Sequence, residues 1–286
     1  MKYKELHLIL LLLSLLGACQ GKKVVADETP SSSAYRITKT VTYNDVSVDV
    51  IIDKPENEEV DVLVVYHGTA VYDWNIWDAA NRILDNFKSI LERQDMMIVS
   101  VVYPEENLLF GDNIVQAEAG LLWVQNRASE ELGVTIQKIF LAGHSQGGYL
   151  VTRLNTLHAT HGVIASAPGP LNLYYRCQLE EDGMIESRPF CTCLRNEYGT
   201  TRDNPEAYLA RSLINFTNGY KSDILFVQGL QDGYLQMYSW PTFKQKVNDC
   251  VDCQDRQFLE LPDYGHPALF QSPEAEIEFN AFINAR

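Results

Sequence analysis

Residues 35–43 and 46–52 alternate β-branched and polar side chains on either side of Asn44-Asp45. A period of two broken by turn-forming residues predicts an antiparallel hairpin at the N-terminal edge of a sheet. Beyond it the pattern changes. Val62–Tyr66, Met97–Val102, Ile139–Ala142, Val163–Ser166 and Ile224–Val227 are short, nearly unbroken apolar runs, the mark of strands buried on both faces, and Phe258–Leu261 offers one more. Segments of helical period separate them: Ile76–Arg93, Asn113–Leu132, Gln146–Leu157, Gln236–Val247 and Pro273–Ile283. Strands alternating with amphipathic helices predict an α/β architecture, a mostly parallel central sheet flanked by helices. Residues 170–222 interrupt the alternation: they are polar and aromatic, hold three cysteines and show no clear strand. Placed between two late strands, this stretch is expected to form an inserted cap over the carboxyl ends of the sheet, where ligands bind in such folds.

The first residues read as a targeting segment. Lys2 and Lys4 precede the apolar run Leu6–Leu16, which is too short to span a bilayer as a mature helix but suits a signal peptide over residues 1–18. It ends in Leu16-Gly17-Ala18-Cys19, which resembles the lipobox of bacterial lipoprotein precursors, with Cys19 as the acylated residue. Plain secretion is the competing reading, since Val24-Val25-Ala26 would suit an ordinary signal peptidase, although it lies far from the apolar run. Residues 19–33, with Thr29, Pro30 and three serines, then read as a lipid-anchored flexible tether, which leaves 34–286 as the folded domain. The localisation expected is the bacterial cell envelope, with membrane contact through the anchor alone.

Composition narrows the partners. With 46% hydrophobic residues in 286, one domain can bury a large core. A formal net charge of -15 repels phosphate backbones, so nucleic acid is not expected as a partner. Five cysteines follow Cys19: Cys177, Cys191, Cys193, Cys250 and Cys253. In an oxidising compartment they allow up to two disulfides and one spare thiol, in a connectivity that sequence leaves open. Cys250-x-x-Cys253 and Cys191-x-Cys193 read as structural or unpaired rather than metal-binding.

Chemistry is concentrated in Gly143-His144-Ser145-Gln146-Gly147, which lies between an apolar run and a helical stretch. A serine on a tight strand-to-helix turn presents its hydroxyl to solvent beside a helix N-terminus, whose dipole favours developing negative charge. Ser145 is therefore the expected nucleophile. It needs a base, and the base needs an orienting acid, supplied in the chain order serine, acid, histidine. Asp232 follows the Ile224–Val227 strand in Gln228-Gly229-Leu230-Gln231-Asp232-Gly233, and His266 follows the last strand in Asp263-Tyr264-Gly265-His266-Pro267. Both are placed where the mechanism needs them, whereas His144, inside the turn, is expected to point away from Ser145 and to serve packing or hydrogen bonding. The oxyanion donors expected are the backbone N–H groups of Gln146 and Thr69, the latter in Tyr66-His67-Gly68-Thr69 with Ala70 as its competitor. Tyr103, Tyr174, Tyr175 and Tyr234 are candidates for lining the pocket.

These four ordered elements resemble the α/β-hydrolases, over about residues 60–285. They are most similar to the branch that joins dienelactone hydrolases, small esterases and the catalytic domains of prolyl-oligopeptidase-like enzymes. The resemblance implies the α/β-hydrolase fold and two-step acyl transfer without a cofactor or metal. It implies a small-molecule or glycan-linked ester as substrate. Two departures count against peptidase activity: the chain has no N-terminal propeller, and its loop reads His-Gly-Thr rather than His-Gly-Gly. The dienelactone branch usually has a cysteine where this chain has Ser145. A serine peptidase with the same triad, and a non-catalytic binding lipoprotein on the same fold, remain the alternatives.

Overall fold

Asn44 and Asp45 both take positive φ, 48° and 64°, as the turn of a two-residue hairpin requires. They join β1 (Tyr35–Tyr43) to β2 (Val46–Lys54) in a computed structural model that describes residues 35–286. The signal peptide, Cys19 and the tether fall outside the described residues. β2 pairs antiparallel with β4 (Met97–Val102). From there the sheet is parallel, through β3 (Glu59–Tyr66), β5 (Thr135–His144), β6 (Gly162–Ser166), β7 (Ile224–Gly229) and β8 (Arg256–Leu261). The eight strands stand in the order β1-β2-β4-β3-β5-β6-β7-β8, with β3 near the middle.

The unbroken apolar runs follow from burial on two sides. Along β3, Val62, Val64 and Tyr66 face one core while Leu63 and Val65 face the other. The first core is closed by α2 (Ile114–Asn126), α4 (Gln146–Leu157) and α8 (Tyr234–Asn248), the second by α1 (Ile76–Ile90) and α9 (Pro273–Asn284). On α1, Ile83, Leu84 and Phe87 are buried at helical spacing, and Phe87 meets Phe279 of α9 at 5.9 Å. Burying each such side chain contributes about 1.5–3 kcal/mol.

One expected helix is divided. The stretch 113–132 forms α2 and a short α3 (Ala128–Leu132), with Arg127 between them at φ -132° and ψ -32°. No glycine or proline marks the break. It lets Ala128 and Leu132 reach the core, a tertiary gain that local propensity does not show.

Residues 170–222 contain no strand but three helices, α5 (Leu173–Glu181), α6 (Pro189–Tyr198) and α7 (Pro205–Leu209). The Asn172 side chain accepts from the Tyr175 N–H at 3.0 Å, and Ser212 Oγ accepts from the Leu173 N–H at 2.9 Å, so the free amides that start α5 are satisfied. A disulfide between Cys177 and Cys191 ties α5 to α6. Leu173, Leu194 and Tyr208 carry the segment into the first core. A second disulfide joins Cys250 to Cys253, which takes both sulfurs out of use as thiolate ligands, and Cys193 is free and exposed.

Candidate active site

Ser145 stands between β5 and α4 at φ 59° and ψ -118°. A non-glycine residue in that region is strained by a few kcal/mol and persists only where its surroundings hold it. Here the Ser145 N–H donates to Ser166 O at 2.9 Å, and Ser145 O accepts from the N–H groups of Tyr149 and Gly169 at 3.0 and 3.1 Å. The turn is also too crowded for side chains at its flanks. A Cβ on Gly143 would lie 2.2 Å from Gly147 O, and one on Gly147 would lie 2.0 Å from Tyr66 O. Gly-x-Ser-x-Gly is thus a packing requirement at this turn.

The ends of β7 and β8 bring an acid and an imidazole to the same rim. His266 Nδ1 and Asp232 Oδ2 are 2.7 Å apart. Asp232 also accepts from Gln228 Nε2 at 3.1 Å and from the Gly233 N–H at 2.6 Å. Burial alone would raise the Asp232 carboxyl, but the hydrogen bonds from His266, Gln228 and Gly233 outweigh it and hold the group below its ordinary range. Asp232 is therefore ionised at neutral pH, and its partner nitrogen on His266 carries a proton. Ser145, Asp232 and His266 line one cavity of about 380 Å³. No hydrogen bond joins Ser145 Oγ to the imidazole, a link that in hydrolytic sites tightens once a substrate is seated.

The loop after β3 approaches Ser145 closely: a Cβ on Gly68 would lie 3.3 Å from Ser145 Cβ. Thr69 borders the Ser145 cavity, while Ala70 borders only its neighbour. Gln146 opens α4, where the first backbone N–H groups of a helix have no partner within it, and its side chain is buried. The remaining histidines are engaged elsewhere. His67 is buried, stacks on Tyr103 at 3.9 Å, and is driven down to about 4 by burial. His158 meets Glu118, and His161 accepts from the Ile139 N–H.

Solved structures give an independent test of the architecture. An esterase of Pyrococcus furiosus superposes with a TM-score of 0.63 at 14% identity, covering 92% of this chain and 95% of that one. A truncated carbohydrate esterase from gut microbiota gives 0.67 at 15% identity, covering 90% and 98%. The acylaminoacyl peptidase of Pyrococcus horikoshii gives 0.60 at 16% identity, covering 88% of this chain and 42% of that one. The fold is that of an α/β-hydrolase. No family model matches the sequence, and no curated protein matches it significantly.

A second cavity, of about 710 Å³, adjoins the first. Thr69, Phe110, Arg176 and Phe190 line both. Arg176 comes from α5 and Phe190 from α6, with the guanidinium 5.1 Å from the ring centroid, and Phe110 packs on Phe190 at 5.8 Å. The 170–222 segment thereby forms a wall of the site. Sequence reasoning missed Phe110, Arg176 and Phe190, and Gln228 behind Asp232, because nothing local sets them apart from other helix, loop or strand-end positions. Of the four tyrosines expected at the pocket, Tyr234 lines the Ser145 cavity. Tyr103 does not: it is fully buried, and its hydroxyl donates to His67 O. Tyr174 packs against the first core and Tyr175 stacks on Tyr238 at 4.5 Å, and neither lines the Ser145 cavity or the larger one beside it. His144 packs against the imidazole of His266, at 4.7 Å between ring centroids, with its Nδ1 3.1 Å from Ser166 Oγ.

Proposed function

We propose that this chain is a serine hydrolase that cleaves carboxylic esters through an acyl-enzyme. The observation that carries the reading is the convergence, in one cavity, of a strained serine at a helix N-terminus and an imidazole oriented by an ionised carboxylate. In the first step Ser145 Oγ bonds to the ester carbonyl carbon while His266 Nε2 takes the hydroxyl proton. Asp232 stabilises the imidazolium, and the backbone N–H groups of Gln146 and Thr69 receive the oxyanion. His266 then protonates the leaving alkoxide, and water attacks the acyl-enzyme by the same route reversed. Two adjoining cavities give separate room for the acyl and alcohol portions, which fits a bulky small-molecule or glycan-linked ester.

Labelling by a fluorophosphonate probe tests the nucleophile. Wild type is expected to label and to turn over aryl esters, with both lost in Ser145→Ala; turnover of amino-acyl amides would move the reading to a peptidase, and unlabelled folded wild type would overturn it. The setting we propose is the cell envelope, with Cys19 lipidated, and this rests on the N-terminal sequence alone. Metabolic palmitate labelling that disappears in Cys19→Ser is the result expected.

A further inference from the structure

Behind the site, the loop that follows β4 brings Glu105 against the helix start. Glu105 Oε2 accepts from Gln146 Nε2 at 3.1 Å. Its other oxygen, Oε1, is buried without a partner, as is Gln146 Oε1. Glu105 also borders the larger cavity beside Ala70. The loop itself is pinned from the β3 side, because Asp73 Oδ1 accepts from the N–H groups of Glu105 and Glu106 at 3.0 and 2.8 Å. Glu105 thus stands between the two chain segments that carry the proposed oxyanion donors, bonded to Gln146 through its carboxyl and to Asp73 through its N–H, and a half-satisfied polar pair is retained in the interior there. Such pairs are costly unless something is gained from them.

We propose that Glu105 is a positioning residue for the oxyanion site: by holding the Gln146 side chain against its own loop, which Asp73 ties to the segment that follows Thr69 and Ala70, it sets the spacing between the backbone amides of Gln146 and Thr69. This rests on the hydrolase reading above. Glu105 touches neither Ser145 nor the reacting atoms, so its effect reaches the reaction only through Gln146. Burial lifts the Glu105 carboxyl to about 8; the hydrogen bond from Gln146 and the nearby Ala70 N–H oppose the rise, and the charge of Asp73 adds to it. The other titratable or charged groups around it are the buried phenol of Tyr103 beneath, Glu106 next in the chain, and Arg176 and Arg188 across the cavity. Below pH 8 the group is neutral. Above it, a buried carboxylate stands behind the place where the oxyanion forms and raises the barrier.

The test is the kinetics of Glu105→Ala, Gln146→Ala, the double variant and Glu105→Gln on one aryl ester, with thermal melts to establish folding. Each alanine variant is expected to lower kcat about tenfold to a hundredfold with KM within about twofold. The double variant should be no worse than the weaker single one, since both remove one connection. Glu105→Gln should restore kcat at pH 7 to within about threefold of wild type, and its profile should stay level from pH 7 to 9.5 where wild type declines above about 8. Multiplied losses in the double variant, or an unchanged alkaline decline in Glu105→Gln, overturn the proposal. If the alanine variants do not fold, the Glu105→Gln profile decides alone. Wild type without Ser145-dependent turnover overturns the hydrolase reading and this proposal together, whereas an active wild type with silent Glu105 variants overturns only this one.

Discussion

The 2.7 Å contact between His266 Nδ1 and Asp232 Oδ2 is backed by two further donors on Asp232, from Gln228 and Gly233. A carboxylate held by three hydrogen bonds keeps both its charge and its direction. Asp232→Asn would keep the shape but let the imidazole take the wrong tautomer, and kcat is expected to fall about 10³- to 10⁴-fold. Gln228→Leu removes one support only and should cost about tenfold or less. Steady-state kinetics on an aryl ester, with fluorophosphonate labelling rates, checks both.

The Cys177–Cys191 disulfide ties together the two helices that supply Arg176 and Phe190 to the cavity walls. Replacing both cysteines by serine should destabilise the protein by about 3 kcal/mol. The helices also lose their mutual alignment, so KM for bulky esters is expected to rise several-fold while kcat for a small acetyl ester stays within about twofold. Comparison of acyl-chain series for the two proteins is the measurement. Equal KM values across the series would show that the wall does not depend on the bridge.

Gly147 has no room for a methyl group, since a Cβ there would lie 2.0 Å from Tyr66 O and 2.8 Å from His67 O, both backbone atoms. Gly147→Ala must therefore push β3 and α4 apart. A loss of about 3 kcal/mol or more is expected, read as a fall in the unfolding midpoint in urea. Ser145→Ala, which only removes an oxygen, should fold normally, so the two variants separate damage to the turn from loss of the proposed nucleophile.

Acid stability is set partly by buried histidines. Burial pushes His67 down to about 4, and burial followed by the neighbouring His266 pushes His144 down to about 3. Both ordinarily titrate near 6.5. Between these values and 6.5 the unfolded chain binds more protons than the folded one. The stability they allow is complete above pH 6.5 and is lost as pH falls toward 4 and 3, by on the order of a few kcal/mol together. Calorimetry from pH 7 to 4 should show the melting temperature falling, and the NMR signals of His67 and His144 should not titrate above pH 5.

Periodicity and motif order carried the eight strands, the major helices and the three residues Ser145, Asp232 and His266, because two-sided burial and a crowded turn leave direct marks on residue choice. Val62–Tyr66 is apolar throughout because both its faces are covered, and Gly143 and Gly147 are glycines because backbone atoms occupy the space of a side chain. The break at Arg127, the pairing of Cys177 with Cys191, the burial of Tyr103 and the meeting of Glu105 with Gln146 across 41 residues left no such mark. Each depends on which segments the folded chain brings side by side, and a contact between distant segments constrains neither residue enough to be read from its neighbours in sequence. The sequence by itself determined the architecture and the three residues that meet at the Ser145 cavity; the tertiary structure decided the cavity walls and the residues behind the site, since those arise only when separate loops and helices close over the ends of the strands.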